Sequence, residues 1–328
     1  MDELNILFTS VGRRVSLVNH FKDTLKNLNV NGKIITTDLQ RNAPAAFVSD
    51  IHELVPRVTD ATYIDELISI CSKHNVKLLV PLIDTELILL AENRERFEEV
   101  GVELLVSSVE TNKICFDKEN TTKFFLEKGI STPKAFDIEK VLMNKDTQYP
   151  LLLKPVSGSS SKGVTIIKNS RELEFFKDYI KNPMLQEYIT GEEYTVDVLV
   201  GFDGEIYCTV PRLRIETRAG EVSKGMTEKN QRIIEAANNV VSKLPGAVGC
   251  ITVQCFLTHD NEVKFIEINP RFGGGHPLTI ASGADFPKFI LNMLLGESLE
   301  KPFVGWKDQF LMLRYDDAIY LEGARVND

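Results

Sequence analysis

Gln254, Glu267 and Asn269 put oxygen-bearing side chains where a plain core hairpin would carry apolar ones. They lie in the stretch ITVQCFLTHDNEVKFIEINPR, Ile251 to Arg271. Two apolar runs there, Ile251 to Leu257 and Val263 to Ile268, flank the turn-prone Thr258-His259-Asp260-Asn261, which predicts a β-hairpin. Side chains alternate faces along a strand, so Glu267 and Asn269 share one face and Gln254 can approach them from the partner strand. An unpaired carboxylate inside a sheet is costly, so Glu267 needs a cation, a donor or water beside it. Three hard oxygen ligands suit Mg²⁺, which keeps some waters and completes its shell with phosphates. A solvated face for Glu267, or a pair with Arg271, is the other reading these residues leave open.

Cations that could serve such phosphates occur earlier in the chain. Lys154 is embedded in the apolar run Tyr149-Pro150-Leu151-Leu152-Leu153-Lys154-Pro155-Val156, and a lysine even partly buried there needs a fixed anion. The run continues into Ser157, Gly158, Ser159, Ser160, Ser161, Lys162 and Gly163, then Val164 to Ile167, a strand-loop-strand order unlike the strand-loop-helix of a P-loop. Small residues let backbone N–H groups wrap phosphate oxygens, and Lys162 would add a mobile charge. A hairpin tip without a ligand has the same composition. Asp117 reads as the N-cap of a helix from Lys118 to Lys128, closed by Gly129 with Pro133 beyond. Lys118 in the first turn opposes the helix dipole by roughly a few tenths of a kcal/mol. A phosphate would reverse that penalty; solvent exposure would only screen it.

Gln186, Glu187, Tyr188 and Ile189 form an extended segment whose amides from Glu187 to Ile189 could meet an adenine edge, and Glu193 could take two ribose hydroxyls. Acids at the entry to any strand look the same. Arg212, Arg214, Arg218 and Lys224 fall in a polar segment, Val210 to Lys224, as a solvated face or as holders of anionic substrate groups. Asp84 and Glu86 follow a strand ending at Leu82, at the carboxyl edge where parallel sheets bind ligands. They could touch a substrate amine or cap the helix beginning near Glu86.

Those residues need scaffolds, and the first third of the chain supplies one. Strands over Asn5 to Thr9, Lys33 to Thr37 and Lys77 to Leu82 alternate with helices reaching about Leu28 and spanning Tyr63 to Lys73, which predicts a parallel α/β sheet. Gly12 and Asp38 superficially match a dinucleotide fold, but the full G-x-G-x-x-G is absent. Further helices are expected over Arg171 to Tyr179 and Thr227 to Leu244, and Phe310 to Tyr315 is strand-like. At 328 residues and 43% hydrophobic content, two or three lobes with real cores are expected. The net charge of −9 argues against a nucleic-acid surface. Five cysteines without a C-x-x-C pair argue against a disulfide framework or a zinc cluster. No basic n-region precedes an apolar stretch and no apolar run is long enough to cross a bilayer, so a cytoplasmic, membrane-free protein is expected.

In this order, Asp117-Lys118, the Leu-Lys-Pro strand with its Gly/Ser loop, Gln186 to Ile189 with Gly191 to Tyr194, and Gln254 with Glu267-Ile268-Asn269-Pro270-Arg271 resemble the ATP-grasp superfamily. The resemblance covers about Lys113 to Gly296, and the whole is similar to stand-alone proteins related to the carbamoyl phosphate synthase large subunit. It implies α/β and α+β architecture: a Rossmann-like pre-ATP-grasp domain over 1–112, an ATP-grasp domain over 113–300 with a lid lobe to about 188 and a metal-binding lobe after it, and a C-terminal extension over 301–328. That tail is expected to pack on the N-terminal lobe or on a second copy of the chain, which would make a homodimer.

The resemblance also implies roles. Lys118 and Lys154 would hold the phosphates of ATP, with Lys162 and the loop from Ser157 closing over them. Gln186, Glu187, Tyr188 and Ile189 would meet adenine, Glu193 the ribose, and Gln254, Glu267 and Asn269 one or two Mg²⁺ or Mn²⁺ ions. Gln254 stands where many relatives carry an acid, which leaves the site less negative. Arg271 and Lys162 would be catalytic, and Asp84, Glu86, Arg212, Arg214, Arg271 and Gly274 would line the pocket for a small carboxylate and an amine, both amino-acid-like. The family's usual chemistry is an ADP-forming ligation through an acylphosphate. Formation of carboxyphosphate or carbamoyl phosphate, and a non-catalytic ATP-binding module, are the alternatives. Gly275 stands where biotin carboxylases have a glutamate base before the His-Pro pair, which argues against carboxylation of biotin. The glycine run Gly273 to Gly275 is expected to leave the acceptor pocket open, and His276 to be a packed residue rather than an acid/base group.

Overall fold

The computed structural model describes residues 3–156, 163–218 and 220–322. The N-terminal part contains β1 (Asn5–Thr9), α1 (Val15–Asn27), β2 (Ile34–Asp38), β3 (Ile51–Leu54), α2 (Tyr63–Lys73), β4 (Val76–Pro81), α3 (Asp84–Glu92), α4 (Arg94–Glu98) and β5 (Glu103–Leu104). The strands form one parallel sheet in the order β3-β2-β1-β4-β5. β1 is buried along its whole length, as a strand covered by helices on both faces must be. Its carboxyl end therefore opens directly onto whatever lies above the sheet.

A connecting pair of helices follows, α5 (Val109–Phe116) and α6 (Lys118–Glu127). Asp117 caps α6 by accepting from the Asn120 amide at 2.8 Å, and Gly129 takes the positive φ of 65° that ends it, both as the sequence suggests. The lid comprises β6 (Ala135–Phe136), α7 (Ile138–Met143), β7 (Leu151–Pro155), β8 (Thr165–Ile167), α8 (Ser170–Tyr179) and β9 (Pro183–Glu187). Its antiparallel sheet runs β6-β9-β7-β8, with Leu151, Leu153, Ile167 and Leu173 in a small core of its own.

The third part is built on β10 (Gly191–Val200), β11 (Ile206–Arg218), β12 (Glu221–Thr227), α9 (Gln231–Val241), β13 (Gly249–Thr258), β14 (Val263–Asn269), α10 (His276–Ala281), α11 (Phe286–Leu294) and β15 (Leu311–Leu313). Its antiparallel sheet is ordered β14-β13-β10-β11-β12-β15. α9 lays Ile233, Ala237, Val240 and Val241 against Val196, Val198, Ile251 and Val253. The expected polar segment Val210 to Lys224 is mostly strand, and the helix expected from Thr227 starts at Gln231, capped by Asn230. Arginines at alternate positions of β11 disguise its pattern, because Arg212 and Arg214 face inward on pairing partners rather than outward into solvent.

One core joins the N-terminal sheet to this third part. Ile6, Phe8 and Phe21 pack with Phe272, Phe286, Ile290 and Trp306, and the rings of Phe21 and Phe272 meet edge-on at 5.9 Å. The tail, expected on the N-terminal lobe or on a second copy, buries Trp306 in this core shared with the N-terminal sheet, and it also adds β15 to the edge of the large sheet beside β12. Cys71, Cys208, Cys250 and Cys255 are buried single thiols. Among the described residues no helix is long and apolar enough to cross a membrane.

Candidate functional site

The hairpin β13–β14 forms as its alternation demands. Gln254 lies directly opposite Glu267 and Thr252 opposite Asn269, so the three oxygen-bearing side chains share one face at the sheet's edge. That face borders a cleft of about 850 Å³ between the lid, the large sheet and the carboxyl edge of the N-terminal sheet. Lys154, from β7 of the lid, and Lys118, at the start of α6, border the same cleft.

Lys154 is only 8% exposed, and among the described residues no carboxylate lies within ion-pair distance of it. Burial, reinforced by the neighbouring Lys118 charge and partly offset by Glu267, lowers its pKa to about 8. Lys118 is lowered for the same first reason, with Glu267 and Asp117 pulling it back. Its ammonium donates to the Val156 carbonyl at 3.2 Å. The buried Lys154 ammonium, with a second cation beside it and only Glu267 partly offsetting its burial, is the group of this cradle that an anion would complete. Ser157, Gly158, Ser159, Ser160, Ser161 and Lys162, expected to close over phosphates, lie outside the described residues.

At the adenine end, Gln186, Glu187, Tyr188 and Ile189 line the cleft as expected. The Glu187 amide, however, donates to the Lys134 carbonyl at 2.8 Å, and the Glu187 carboxylate takes both the Lys264 ammonium at 2.9 Å and the Lys134 amide. Its expected amide contact to a base is therefore replaced by a structural one, and Tyr188 and Ile189 carry the remaining amides of that segment. Glu193 also borders the cleft, 3.0 Å from Arg214 Nε, while Arg214 donates to Thr195 Oγ1 and the Gly220 carbonyl. Arg214 is thus a partner of the expected ribose ligand.

The substrate-side expectations divide. Arg271 donates through Nη2 to Asp84 Oδ2 at 2.6 Å and to Asn269 Oδ1 at 3.3 Å, so it links the β13–β14 hairpin to the N-terminal part. Its Nε is buried without a hydrogen-bond partner among the described residues.

Glu86, expected at the substrate pocket or as a helix cap, takes only the second role. It is 0% exposed, accepts from the Leu82 and Ile83 amides and the hydroxyls of Tyr63 and Ser10, and caps α3 from inside the wall. Burial pushes its carboxyl up, and no substrate amine can reach it.

Arg212, expected to line the substrate pocket, does border the cleft, but it is only 1% exposed and donates through Nε and Nη2 to Asp197 at 2.9 and 3.0 Å; among the described residues its Nη1 alone of the guanidinium nitrogens has no partner. Asp197 also accepts from Thr279 at 2.6 Å and Thr252 at 3.3 Å, and lies 3.0 Å from His276 Nδ1. Burial pushes Asp197 up, but Arg212 and His276 hold it well below the usual carboxylate range, and burial keeps His276 lowered. His276 sits between Phe272 and Phe286, the packed role expected for it.

The glycine run is not an open door. A Cβ on Gly275 would stand 2.3 Å from Arg212 Nη1, and one on Gly274 would stand 3.0 Å from Glu221 and 3.2 Å from Arg14 Nη1. These contacts bring two further side chains to the cleft, Arg14 and Glu221, neither of which belongs to a sequence motif. Arg14 follows β1, and the carboxyl edge of a parallel sheet is the signal that could have singled it out. Glu221 opens β12, a strand within the polar segment Val210 to Lys224.

A lid sheet and a large antiparallel sheet closing on a lysine-faced, carboxylate-floored cleft define a class, and comparison with known families agrees. A model described as ATP-grasp domain matches residues 115–275, and one described as PylC-like, N-terminal domain matches residues 6–105. The chain belongs to the ATP-grasp superfamily and carries a PylC-like N-terminal domain.

It is 26% identical over 184 residues to a D-alanine--D-alanine ligase of Fusobacterium nucleatum, a match spanning 53% of this chain and 62% of that protein, less than two-thirds of its length. It is 27% identical over 281 residues to a formate-dependent phosphoribosylglycinamide formyltransferase of Bacteroides fragilis, covering 79% and 70% of the two chains. A biotin carboxylase–β,γ-ATP complex from Campylobacter jejuni superposes with a TM-score of 0.72 over 94% of this chain and 74% of that one. At 17% identity this likeness is one of fold.

Proposed function

We propose that the chain is an ATP-dependent, ADP-forming ligase that joins a small carboxylate to an amine through an acylphosphate. The observation that carries this reading is the buried Lys154 ammonium, beside Lys118 and facing Glu267, with no carboxylate within ion-pair distance among the described residues. A polyphosphate completes such a cradle, and without intervening cations it could not lie near Glu267. Two unit charges about 4 Å apart repel by roughly 4 kcal/mol at an effective dielectric near 20.

Donor chemistry fits a hard divalent ion, since Gln254, Glu267 and Asn269 offer only oxygens from one face of a rigid hairpin. These three residues would hold Mg²⁺ or Mn²⁺, which supplies charge neutralisation at the phosphate oxygens when bound. Lys118, from the start of α6, and Lys154, from the lid strand β7, bind and orient the phosphates. Glu193 and the amides of Tyr188 and Ile189 place the nucleoside.

The acid's carboxylate oxygen then attacks the γ-phosphorus, the bond to the β,γ-bridging oxygen breaks, and ADP leaves. The amine attacks the acyl carbon, loses a proton, and expels phosphate. Arg271, hydrogen-bonded to both Asn269 and Asp84, stabilises the negative charge that builds in both steps; its position beside the three oxygen ligands supports that role.

A panel of acids and amines assayed for magnesium-dependent ADP release, with hydroxylamine to trap the activated acid, tests the reading. One acid should give a hydroxamate in step with ADP. ATP binding without ADP release across the panel would overturn it in favour of a binding module.

A further inference from the structure

At the end of the cleft beyond Arg271, four segments distant in sequence converge on Gly274. Arg14 comes from the turn after β1, Glu221 from the start of β12, Arg314 from the tail just after β15, and Arg271 with Asp84 closes the side toward the hairpin. Arg314 Nη1 donates to Glu221 Oε2 at 3.0 Å and Arg271 Nη2 to Asp84 Oδ2 at 2.6 Å, so each carboxylate already has its guanidinium. Arg14 is the third guanidinium against two carboxylates, an excess of one positive charge. Among the described residues no carboxylate lies within ion-pair distance of it. It is half-buried, and burial together with the Arg271 charge lowers its pKa, with Glu221 and Asp84 only partly compensating.

The space between Arg14 and Glu221 exists because residue 274 has no side chain: both groups stand about where a Cβ and its contacts would be. We propose, building on the ligase reading above, that this junction recognises the amine substrate, and that the substrate is an α-amino acid. Its carboxylate sits on Arg14 and its amino group is held by Glu221 on the Gly274 side.

The chemistry is self-consistent. An α-amino acid carries its carboxylate and its nitrogen on one carbon, so anchoring the former at Arg14 brings the latter to the acids beside Arg271. The ammonium must lose one proton before it attacks, and Glu221 or Asp84 lies on the same side to accept it. No other group is consumed. The tail acquires a function as well, since Arg314 fixes the Glu221 carboxylate in place.

The test uses the full chain and binding rather than turnover. Thermal shift, then calorimetry, is run with each of the twenty common L-α-amino acids and the matching α-carboxamide, with and without ADP and Mg²⁺. At least one amino acid should bind and its carboxamide should bind at least about tenfold more weakly, the size of a lost charge-assisted pair. Arg14→Met, which keeps the apolar stem, should weaken that amino acid by a similar factor while the Kd for ADP changes less than about twofold. Gly274→Val should do the same by filling the space, with the ADP Kd reporting that each variant is folded.

Equal binding of acid and amide, or an Arg14→Met protein that binds the amino acid like the wild type, overturns the proposal. So does an absence of amino-acid binding in a protein that binds ADP, an outcome that leaves the ligase reading standing. Failure to bind ADP would instead count against the ligase reading, and the nucleotide-free titrations would still decide this one.

Discussion

Lys154→Met removes a buried ammonium while keeping most of its stem, and its consequences follow from one number. With a pKa near 8 in the nucleotide-free protein, Lys154 is about three-quarters deprotonated at pH 8.5. Phosphates beside it restore its proton, so nucleotide binding at pH 8.5 should take up about three-quarters of a proton through Lys154, with Lys118 adding in the same direction. A group whose bound-state pKa exceeds its free value supports binding fully below the free value and loses that support as pH rises. Affinity should therefore be flat below pH 8 and fall by up to about tenfold per unit above it. Calorimetric titration with ADP and Mg²⁺ at pH 8.5, in two buffers of different ionisation enthalpy, reads the uptake directly. The Met variant should bind more weakly and take up about three-quarters of a proton less. Equal uptake in variant and wild type would refute the argument that a phosphate completes the lysine cradle.

Glu267→Gln should abolish ADP release while leaving the thermal transition within a few degrees, because Glu267 contributes charge at the cleft face and no core packing; near-normal activity would refute the ion-ligand assignment. Asp197→Asn leaves the Arg212 guanidinium buried without its counter-charge, and urea denaturation should show a loss of about 3–5 kcal/mol. Because the Asp197 pKa is depressed in the folded state, its contribution is present above about pH 4 and is lost as pH falls toward the folded value. The variant's acid unfolding should therefore lack that component. Gly275→Ala forces a methyl into the Arg212 guanidinium and should destabilise by about 1–3 kcal/mol, read by the same denaturation. Trp306→Ala, which empties the core joint between tail and N-terminal sheet, should cost about 3–5 kcal/mol.

What the chain showed in one dimension, and what it hid, has a physical pattern. The hairpin carrying Gln254, Glu267 and Asn269 was legible because strand alternation is a local rule, and so was the Asp117 cap with Gly129 closing its helix. β11 was illegible because inward arginines at 212 and 214 look like surface residues until their partners Asp197 and Glu193, from the neighbouring β10, are in view. Glu86 was ambiguous for the same reason: only Tyr63 and the Leu82 and Ile83 amides decide that its carboxylate points into the wall. Arg14 and Glu221 were passed over because neither sits in a motif, and more than two hundred residues separate them in the chain. Pairings that cross long stretches of sequence leave no periodic trace.

Everything assigned to the cleft depends on a divalent ion arriving with nucleotide phosphates at the Glu267 and Asn269 face. Electron paramagnetic resonance of Mn²⁺, titrated into the protein with and without ADP, measures that directly. Bound Mn²⁺ should appear only when nucleotide is present and vanish in Glu267→Gln. Identical free-ion spectra in all of these samples would contradict the assignment.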